Sequence, residues 1–490
     1  MLLTGKEYLE SIRDGRKVYI GSELVEDVTA HPAFRNAAKS FAGIYDRKRA
    51  PENRDVMVCE EDGDTFSTYY MLPRTREDLL RRFETHRRIA SWTHGLLGRS
   101  PDNFPSYVSG LAMDPAMFDR IRKGFGDNIR NYHRHMRKND IFASHTVTNP
   151  QGWRTANPAA SAKRTSPTLR VVAEDDRGVT INGLKMLGTA MVFCHETWCG
   201  NLQPVAPGNE KETITCAVPL NSPGVSIWSR KPYELHAKSE FDNPLASRFD
   251  ENDAAVLFEN VKVPWERVFC HDNIEMTRAI YMLTPGHAMA NHQANVRFLE
   301  KLKFIVGIAG KLVEMNGAGQ VPAVQFTLGR LAAQQATLEG LIMGAINCGE
   351  AQTPPFHTVN RRYVYAALHW CSNHHSEICD TVRELMGAGV FQMPADASVL
   401  ENKETREKFE TYWSVPGQSA KDRMKLLNLA WDLLGSDFAG RHMQYEKFYA
   451  GPSFVMNGYS YNTAPWKNWT ADVDALLASY DAPSPETKSR

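Results

Sequence analysis

The pattern of apolar and polar positions divides the chain into segments with different periodicity. Residues 1–140 carry apolar residues at intervals of three and four, as in LLRRFETHRRIASWTHGLLG (79–98), which is the period of an amphipathic helix. Residues 141–275 carry short β-branched runs such as TLRVVAE (168–174), followed by Asn182-Gly183, a pair that favours a tight hairpin. A helical segment is therefore followed by a β segment.

Helical periodicity returns after residue 276. The clearest apolar stripe ends at Asn316-Gly317 and comprises Phe298, Leu299, Leu302, Ile305, Val306, Ala309, Leu312 and Val313. Similar stripes lie within 324–346, 361–387 and 421–435. Several long helices with such stripes most simply form a bundle.

These textures predict an α+β, mostly α protein in four parts. An N-terminal helical domain spans 1–140, a middle β domain spans 141–275, and a helical bundle spans 276–460. The last part, 461–490, ends in the polar, proline-containing run DAPSPETKSR and is predicted to be a tail.

Composition narrows the classes of partner. The 490 residues contain 57 Lys plus Arg and 57 Asp plus Glu, so no net field favours nucleic acid or an anionic membrane. No apolar run is long enough to span a bilayer, and charges stand where a secretory signal would have its apolar core. The eight cysteines form no CxxC pair, which indicates reduced thiols. We therefore expect a cytoplasmic protein with a small-molecule substrate.

The turn GRSPDN (98–103) holds the first candidate for chemistry. Arg99 carries a planar, permanently charged donor fork beside a proline-stiffened turn, so it can hold an anion or an oxygen-bearing ring in a fixed place. A lone arginine most often makes a surface salt bridge, so the significance of Arg99 depends on the motifs around it.

Seven motifs spread over nearly the whole chain resemble one family. They are TGKEYLESIRDGR (4–16), GRSPD (98–102), SHTVTNPQ (144–151), INGLKMLGTA (181–190), NPLASRFDENDA (243–254), VPWERVF (263–269) and YEKFYAGP (445–452). Together they are similar to the oxygenase component of the two-component flavin monooxygenases typified by 4-hydroxyphenylacetate 3-monooxygenase. The resemblance implies an acyl-CoA-dehydrogenase-like fold, with an N-terminal helical domain, a middle antiparallel β-barrel domain and a C-terminal four-helix bundle, assembled as a homotetramer.

The resemblance also implies a reaction. Such enzymes receive FAD as FADH2 from a separate NAD(P)H:flavin reductase, use O2 as co-substrate, and transfer one oxygen atom from a flavin C4a-hydroperoxide to a phenolic or related aromatic or heteroaromatic ring. A distant branch, the 4-hydroxybutyryl-CoA dehydratases, adds an iron–sulfur cluster that needs thiolate ligands. A flavin-dependent lyase of that type without the cluster, or a non-catalytic scaffold, is the alternative. No cysteine stands near Arg99, Asn103 or Glu300 in the sequence, which counts against the dehydratase.

By this resemblance, Arg99 and His145 bind the phenolic or enolic oxygen of the substrate and favour its deprotonated form. An arginine cannot take the proton, so a histidine that titrates near neutrality is the natural base. His292 is a second candidate, because its family counterpart carries a base in some members. The family motif usually reads GR(S/T)PDY, whereas this chain has Asn103, whose shorter amide both donates and accepts. We expect a bulkier or differently functionalised aromatic substrate.

The resemblance places the cofactor along the SHTVTNPQGWR run. It implies flavin contacts from His145, Thr146, Val147, Gln151, Gly152, Trp153 and Arg154. Thr189 matches a family threonine near flavin N5, although a strand-end hydroxyl commonly bonds its own backbone. Gly451 and Pro452 let the backbone approach the pyrophosphate or adenine, because glycine has no Cβ. No GxGxxG follows a strand, which argues against an NAD site on this chain.

One cluster of cysteines and histidines contains residue types that bind metal ions. CSNHHSEIC contains Cys371, His374, His375 and Cys379, and helical spacing places Cys371 and His375 on the face that carries Leu368. No second ligand pair stands at zinc spacing. We therefore expect buried thiols and a hydrogen-bonded histidine here, and no metal site.

Overall fold

Two of the N-terminal helices, Gly5–Ser11 and Arg76–Trp92, begin at capping boxes. The computed structural model describes residues 2–152 and 166–481. The side chain of Thr75 accepts from the amide of Asp78 while the carboxylate of Asp78 accepts from the amide of Thr75, which starts a long helix. The helices of this region are Gly5–Ser11, Arg35–Arg49, Arg54–Met57, Arg76–Trp92, Asn103–Ala112, Ala116–Asp119 and Phe125–Asn139.

Two pairs of strands interrupt this helical region, contrary to the predicted helical texture. Val58–Glu61 and Asp64–Ser67 form a hairpin, and its turn residues Asp62 and Gly63 both have positive φ. Lys17–Ile20 and Glu23–Val25 pair with each other and join a sheet of the middle segment. The first hairpin could have been read from its Asp-Gly pair, whereas the second depends on a partner strand about two hundred residues away.

Two sheets build the middle of the molecule. The first has the strand order Glu23–Val25, Lys17–Ile20, Val225–Ser229, Asp253–Pro264, Gly178–Thr189 and Arg170–Asp175. The second has the order Val268–Cys270, Thr215–Pro219, Glu196–Cys199 and Ala143–Thr146.

The predicted α+β, mostly α class is confirmed, whereas the antiparallel β-barrel is wrong. Each sheet contains one parallel pair, at Lys17–Ile20 with Val225–Ser229 and at Ala143–Thr146 with Glu196–Cys199. Long connections between the paired strands permit the parallel arrangement. The two sheets stay open among the described residues and do not close into a barrel.

The predicted turn at Asn182-Gly183 is also wrong, because both residues lie inside the strand Gly178–Thr189. The hairpin turn comes earlier, where the carboxylate of Asp175 accepts from the amide of Gly178 at 3.1 Å. Gly183 has a different role. A Cβ there would lie 2.6 Å from the carbonyl oxygen of Thr168, so glycine permits a close backbone approach.

Helices return after the sheets. They are Met276–Met282, Gly286–Met315, Pro322–Asn347, Arg361–Met386, Lys403–Trp413, Ala420–Leu434, Asp437–Lys447, Ser453–Thr463 and Trp466–Leu477. Gly286–Met315 is central, because it packs against the bundle and also against Asn103–Ala112. Trp466–Leu477 occupies part of the predicted tail, since its sequence alternates apolar and polar positions at helical spacing. In the part of the chain that the structure describes, no helix is apolar and long enough to cross a membrane.

Candidate active site

The GRSPDN turn leads directly into the helix Asn103–Ala112 and is held from two sides. The backbone amide of Arg99 donates to the carboxylate of Glu251 at 2.9 Å. Its partly buried guanidinium lies over the ring of Tyr449 at 4.2 Å and donates to the hydroxyl of Tyr449. It also donates to the side-chain oxygen of Asn103 at 3.4 Å. Arg99 and Asn103, which together with His145 are the predicted substrate-binding residues, are therefore adjacent.

The amide of Asn103 is oriented by a buried chain of hydrogen bonds. Asn103 Nδ2 donates to Gln293 Oε1 at 2.6 Å, and Gln293 Nε2 donates to the carboxylate of Asp102 at 3.1 Å. Asp102 also pairs with Nδ1 of His86 at 2.7 Å. Because a carboxylate only accepts, it fixes the amide of Gln293, which in turn fixes that of Asn103. The oxygen of Asn103 therefore faces Arg99.

His145 lies on the strand Ala143–Thr146, with its ring 6.2 Å from the ring of Phe104. Burial, together with the nearby Arg99 and His287, lowers the pKa of His145 to about 3. The expectation that this histidine titrates near neutrality is therefore not met. No side-chain hydrogen bond reaches its ring from the described residues, so a neutral imidazole is free to accept a proton or a hydrogen bond.

His292, the second candidate base, faces a different neighbour. Its ring lies 6.5 Å from the ring of His86, and only 3% of the residue is exposed. Burial, followed by His86 and Arg82, lowers its pKa to about 3. Its Nε2 atom has no hydrogen-bond partner within the described ranges. The next residue, Gln293, instead accepts a hydrogen bond from Asn103, which lies beside Arg99.

Thr189, the predicted neighbour of flavin N5, belongs to a buried network of charges. Its hydroxyl donates to Asp253 at 2.7 Å, and Asp253 accepts two bonds from Arg441, at 2.8 and 2.9 Å. Arg441 also donates to Glu251 at 2.8 Å, which is the carboxylate that holds the backbone of Arg99. Although burial alone would raise the pKa of Asp253, Arg441 holds it well below its usual range.

This network was missed at the level of sequence. Glu251 and Asp253 stand in FDENDA, where three carboxylates fall within four residues, two of them just before the strand Asp253–Pro264 and the third at its first position. Acidic residues at the start of a buried strand need cationic partners, so the motif itself carried a signal. Nothing in the sequence indicated that the partner would be Arg441.

The remaining predicted flavin residues differ in how far they are exposed. Val147 is buried, whereas Gln151 and Gly152 are exposed, and Gly152 has φ +80° with open space where a Cβ would stand. The hydroxyl of Thr146 lies 3.1 Å from that of Thr197, and its carbonyl oxygen accepts from the backbone amide of Gly200 at 3.3 Å, so both oxygens already have partners. Trp153 and Arg154 lie outside the described residues.

Gly451 and Pro452 lie in the link between the helices Asp437–Lys447 and Ser453–Thr463, next to Tyr449. Gly451 has φ +102°, a conformation that favours glycine. This link therefore brings the FYAGP motif to Arg99, although the two are far apart in the sequence.

Two other features do not join this site. His375 and Cys379 are buried, with the sulfur 3.5 Å from His375 Nε2, and Nδ1 of His375 has no partner among the described residues. Within the same ranges no three His, Cys, Asp or Glu side chains cluster as a metal site would. A cavity of about 700 Å³ opens between the helix Arg35–Arg49 and the segment 234–249, but none of the predicted site residues lines it.

Comparison with known families covers almost the whole chain. Residues 4–270 match the family model described as 4-hydroxyphenylacetate 3-hydroxylase N terminal. Residues 277–478 match the model described as 4-hydroxyphenylacetate 3-hydroxylase C terminal.

Individual relatives are similar over comparable lengths. The chain is 32% identical to the 4-hydroxyphenylacetate 3-monooxygenase oxygenase component of Escherichia coli, covering 98% of this chain and 93% of that one. It is 30% identical to the pyoverdin chromophore biosynthetic protein PvcC of Pseudomonas aeruginosa, covering 98% and 96%.

Solved structures give the same comparison. An oxygenase component of 4-hydroxyphenylacetate 3-monooxygenase complexed with FAD and 4-hydroxyphenylacetate has a TM-score of 0.91 at 27% identity, covering 97% of this chain and 98% of that one. A 4-hydroxybutyryl-CoA dehydratase from N. maritimus, with a TM-score of 0.87 at 17% identity, shares the fold alone.

Proposed function

Because the chain belongs to the 4-hydroxyphenylacetate 3-hydroxylase family, we propose that it is the oxygenase component of a two-component, FADH2-dependent monooxygenase that hydroxylates a phenolic or related aromatic ring. The observation that carries the proposal is the convergence of the Arg99 guanidinium and the Asn103 amide near His145, whose neutral ring has no hydrogen bond to any residue that the structure describes. Such a set suits a phenolic oxygen that loses its proton as the ring reacts.

The residues present fit a flavin. The hydroxyl of Thr189 donates to Asp253 and so presents its lone pairs, as the N5–H group of a reduced flavin requires. Gln151 and Gly152, both exposed, belong to the run that the resemblance places along the flavin. Reduced FAD, when bound, would react with O2 and supply the oxygen atom that is transferred.

The protein's own groups would prepare the aromatic ring. Arg99 stays positively charged and stabilises a phenolate, which lowers the pKa of the bound phenol. His145 accepts the phenolic proton at a ring nitrogen, since the phenolate left beside it compensates the imidazolium charge. The ring of Phe104 lies 6.2 Å from that of His145 and 5.8 Å from that of the buried Trp198, and these apolar rings exclude water.

The substrate is proposed only as a phenolic or related aromatic compound, larger or differently substituted than 4-hydroxyphenylacetate. Asn103 leaves more room than the tyrosine that the family motif usually carries there. Relatives of similar identity include a 4-nitrophenol 2-monooxygenase oxygenase component from Rhodococcus and a monooxygenase from Streptomyces globisporus named for a substrate on a peptidyl-carrier protein. These names support a range of phenols rather than one.

The assembly and the partner complete the proposal. The reductase is inferred from the name of the relatives as oxygenase components. Exposed aromatic side chains on the C-terminal helices, among them Phe454, Tyr461 and Trp466, support burial against another subunit of a homotetramer. A cytoplasmic location and the four-part division at residues 140, 275 and 460 are proposals too, the former supported by eight free cysteines.

The test needs no reductase. The protein is mixed with chemically reduced FAD and a panel of phenols, and isotopically labelled O2 is admitted. We expect one labelled oxygen atom in a hydroxylated product, detected by mass spectrometry, with the boiled protein as control. Consumption of FADH2 without a labelled product across the panel would contradict the proposed hydroxylase.

A further inference from the structure

We propose that Tyr449 also positions the substrate's phenolic oxygen, in addition to Arg99, Asn103 and His145. The inference rests on the proposed function, because it assumes that the phenolic oxygen binds at the guanidinium of Arg99. Tyr449 stands outside the GRSPDN turn, in the link between the helices Asp437–Lys447 and Ser453–Thr463.

The hydroxyl of Tyr449 lies where the polar groups of the turn converge. It accepts a hydrogen bond from the guanidinium of Arg99 and another from Asn103 Nδ2 at 3.2 Å. A second nitrogen of Arg99 donates to the backbone carbonyl of Tyr449 at 3.5 Å. Arg99 and Asn103, two of the predicted substrate-binding residues, thus already hold a phenol hydroxyl.

The ring of Tyr449 is fixed on several sides. Arg99 lies over the ring at 4.2 Å, and Arg297 approaches it at 5.2 Å. Tyr445 packs edge-on against it, with ring centroids 5.2 Å apart. Arg297 is itself held by Glu446 at 2.7 Å, inside the protein. The hydroxyl therefore has a set position and little conformational freedom to lose when a ligand binds.

The proton of this hydroxyl is available. Its one acceptor among the described residues is the carbonyl oxygen of Gly98, at a long 3.4 Å, so the O–H group can turn toward a substrate oxygen at little cost. Burial raises the pKa of Tyr449, although Arg99 opposes this, and the group therefore stays a neutral donor. A phenolate would then receive charge-assisted hydrogen bonds from Arg99 and Tyr449 together.

The arrangement also restricts the substrate. The ring of Tyr449 covers one face of the guanidinium of Arg99, so a substrate oxygen must approach the edge or the opposite face. A single oxygen atom can reach Arg99 and Tyr449 together, whereas the two oxygens of a carboxylate would pair with the guanidinium alone. The set therefore favours phenols over aromatic carboxylates at this position.

Tyr449→Phe tests the proposal, because it removes only the hydroxyl and keeps the stacked ring. Tyr445→Phe is the matched control, since the hydroxyl of Tyr445 is buried without a hydrogen-bond partner in the described part of the chain. For each variant and the wild type, KM and kcat for one accepted phenol are measured, with the dissociation constant for FADH2. We expect Tyr449→Phe to raise KM by roughly 5- to 10-fold, as the loss of one hydrogen bond to a charged oxygen would. FADH2 binding is expected to be unchanged, and Tyr445→Phe to match the wild type.

Wild-type KM in an active Tyr449→Phe variant would overturn this inference alone. So would an equal loss of FADH2 binding in both variants, because Tyr449 would then support the structure rather than the substrate. A wild-type protein that hydroxylates no phenol would overturn the proposed function, and this inference with it.

Discussion

The hydroxyl of Thr189 donates to the carboxylate of Asp253 across 2.7 Å, so its lone pairs are left for another partner. Asp253 is held in turn by Arg441, whose third bond reaches Glu251 and, through it, the backbone of Arg99. One buried ion network therefore joins the residue proposed to contact the flavin to the residue proposed to contact the substrate.

Replacing Thr189 tests the first end of this network. Thr189→Val keeps the size but removes the acceptor, and the fraction of FADH2 that yields hydroxylated product is expected to fall by about tenfold, equivalent to one hydrogen bond. Thr189→Ser keeps the hydroxyl and should retain most of that fraction. Equal product yields from the Val and Ser variants would argue against a role for this oxygen.

Replacing Arg441 tests the centre of the network. Arg441→Gln leaves Glu251 buried without a cation and leaves Asp253 with Arg230 alone, which is expected to cost about 3–5 kcal/mol of unfolding free energy. The control is Arg130→Gln, whose pair with Asp127 is exposed to solvent and should change stability by less than about 1 kcal/mol. Denaturant unfolding gives both values. Similar losses of unfolding free energy in the two variants would contradict the expectation that the buried network stabilises the fold more than an exposed ion pair does.

The buried histidines predict a dependence of stability on pH. His292 has a pKa lowered by burial to about 3, whereas an unfolded histidine titrates near 6.5. Above about pH 6.5 neither state binds the proton, and below it only the unfolded state does, so stability falls as the pH falls toward 3. His292→Leu should reduce this slope by about 1.4 kcal/mol per pH unit. Exposed His236→Leu is the control, and an unchanged slope in the His292 variant would contradict the expectation.

Gln293 orients the amide of Asn103, so its loss should affect substrate and not cofactor. Gln293→Leu removes the acceptor that Asn103 Nδ2 bonds at 2.6 Å, so the amide of Asn103 is held less firmly. We expect KM for the phenol to rise by roughly 5- to 10-fold, with FADH2 binding unchanged. Steady-state kinetics with saturating FADH2 measures this. A lower kcat at unchanged KM would place Gln293 in a later step.

The helices and the family could be predicted because their signals are local. The apolar stripe from Phe298 to Leu312 needs only the helical period, and the seven motifs need only short runs of sequence. The prediction of a turn at Asn182-Gly183 is wrong because the deciding signal is not local. A hairpin pair can also lie in a strand, and the close approach of Thr168, which decides between the two, is a tertiary contact.

Only those parts of the site that depend on local sequence could be predicted. Arg99 and Asn103 lie within one short turn, so their proximity follows from the sequence. Tyr449 lies 350 residues from Arg99, and no spacing rule relates them. The shift in the pKa of His145 also depends on burial by distant elements, which is why a near-neutral value was expected.

The most direct test of the account is the binding of substrate and cofactor to Arg99→Ala. The backbone bond of residue 99 to Glu251 persists in this variant, so the turn is expected to keep its place. Dissociation constants for an accepted phenol and for FADH2 are measured separately, under exclusion of oxygen. We predict that the dissociation constant for the phenol rises by about tenfold or more, whereas the dissociation constant for FADH2 is unchanged. Loss of FADH2 binding with unchanged phenol affinity would contradict it, because Arg99 would then serve the flavin.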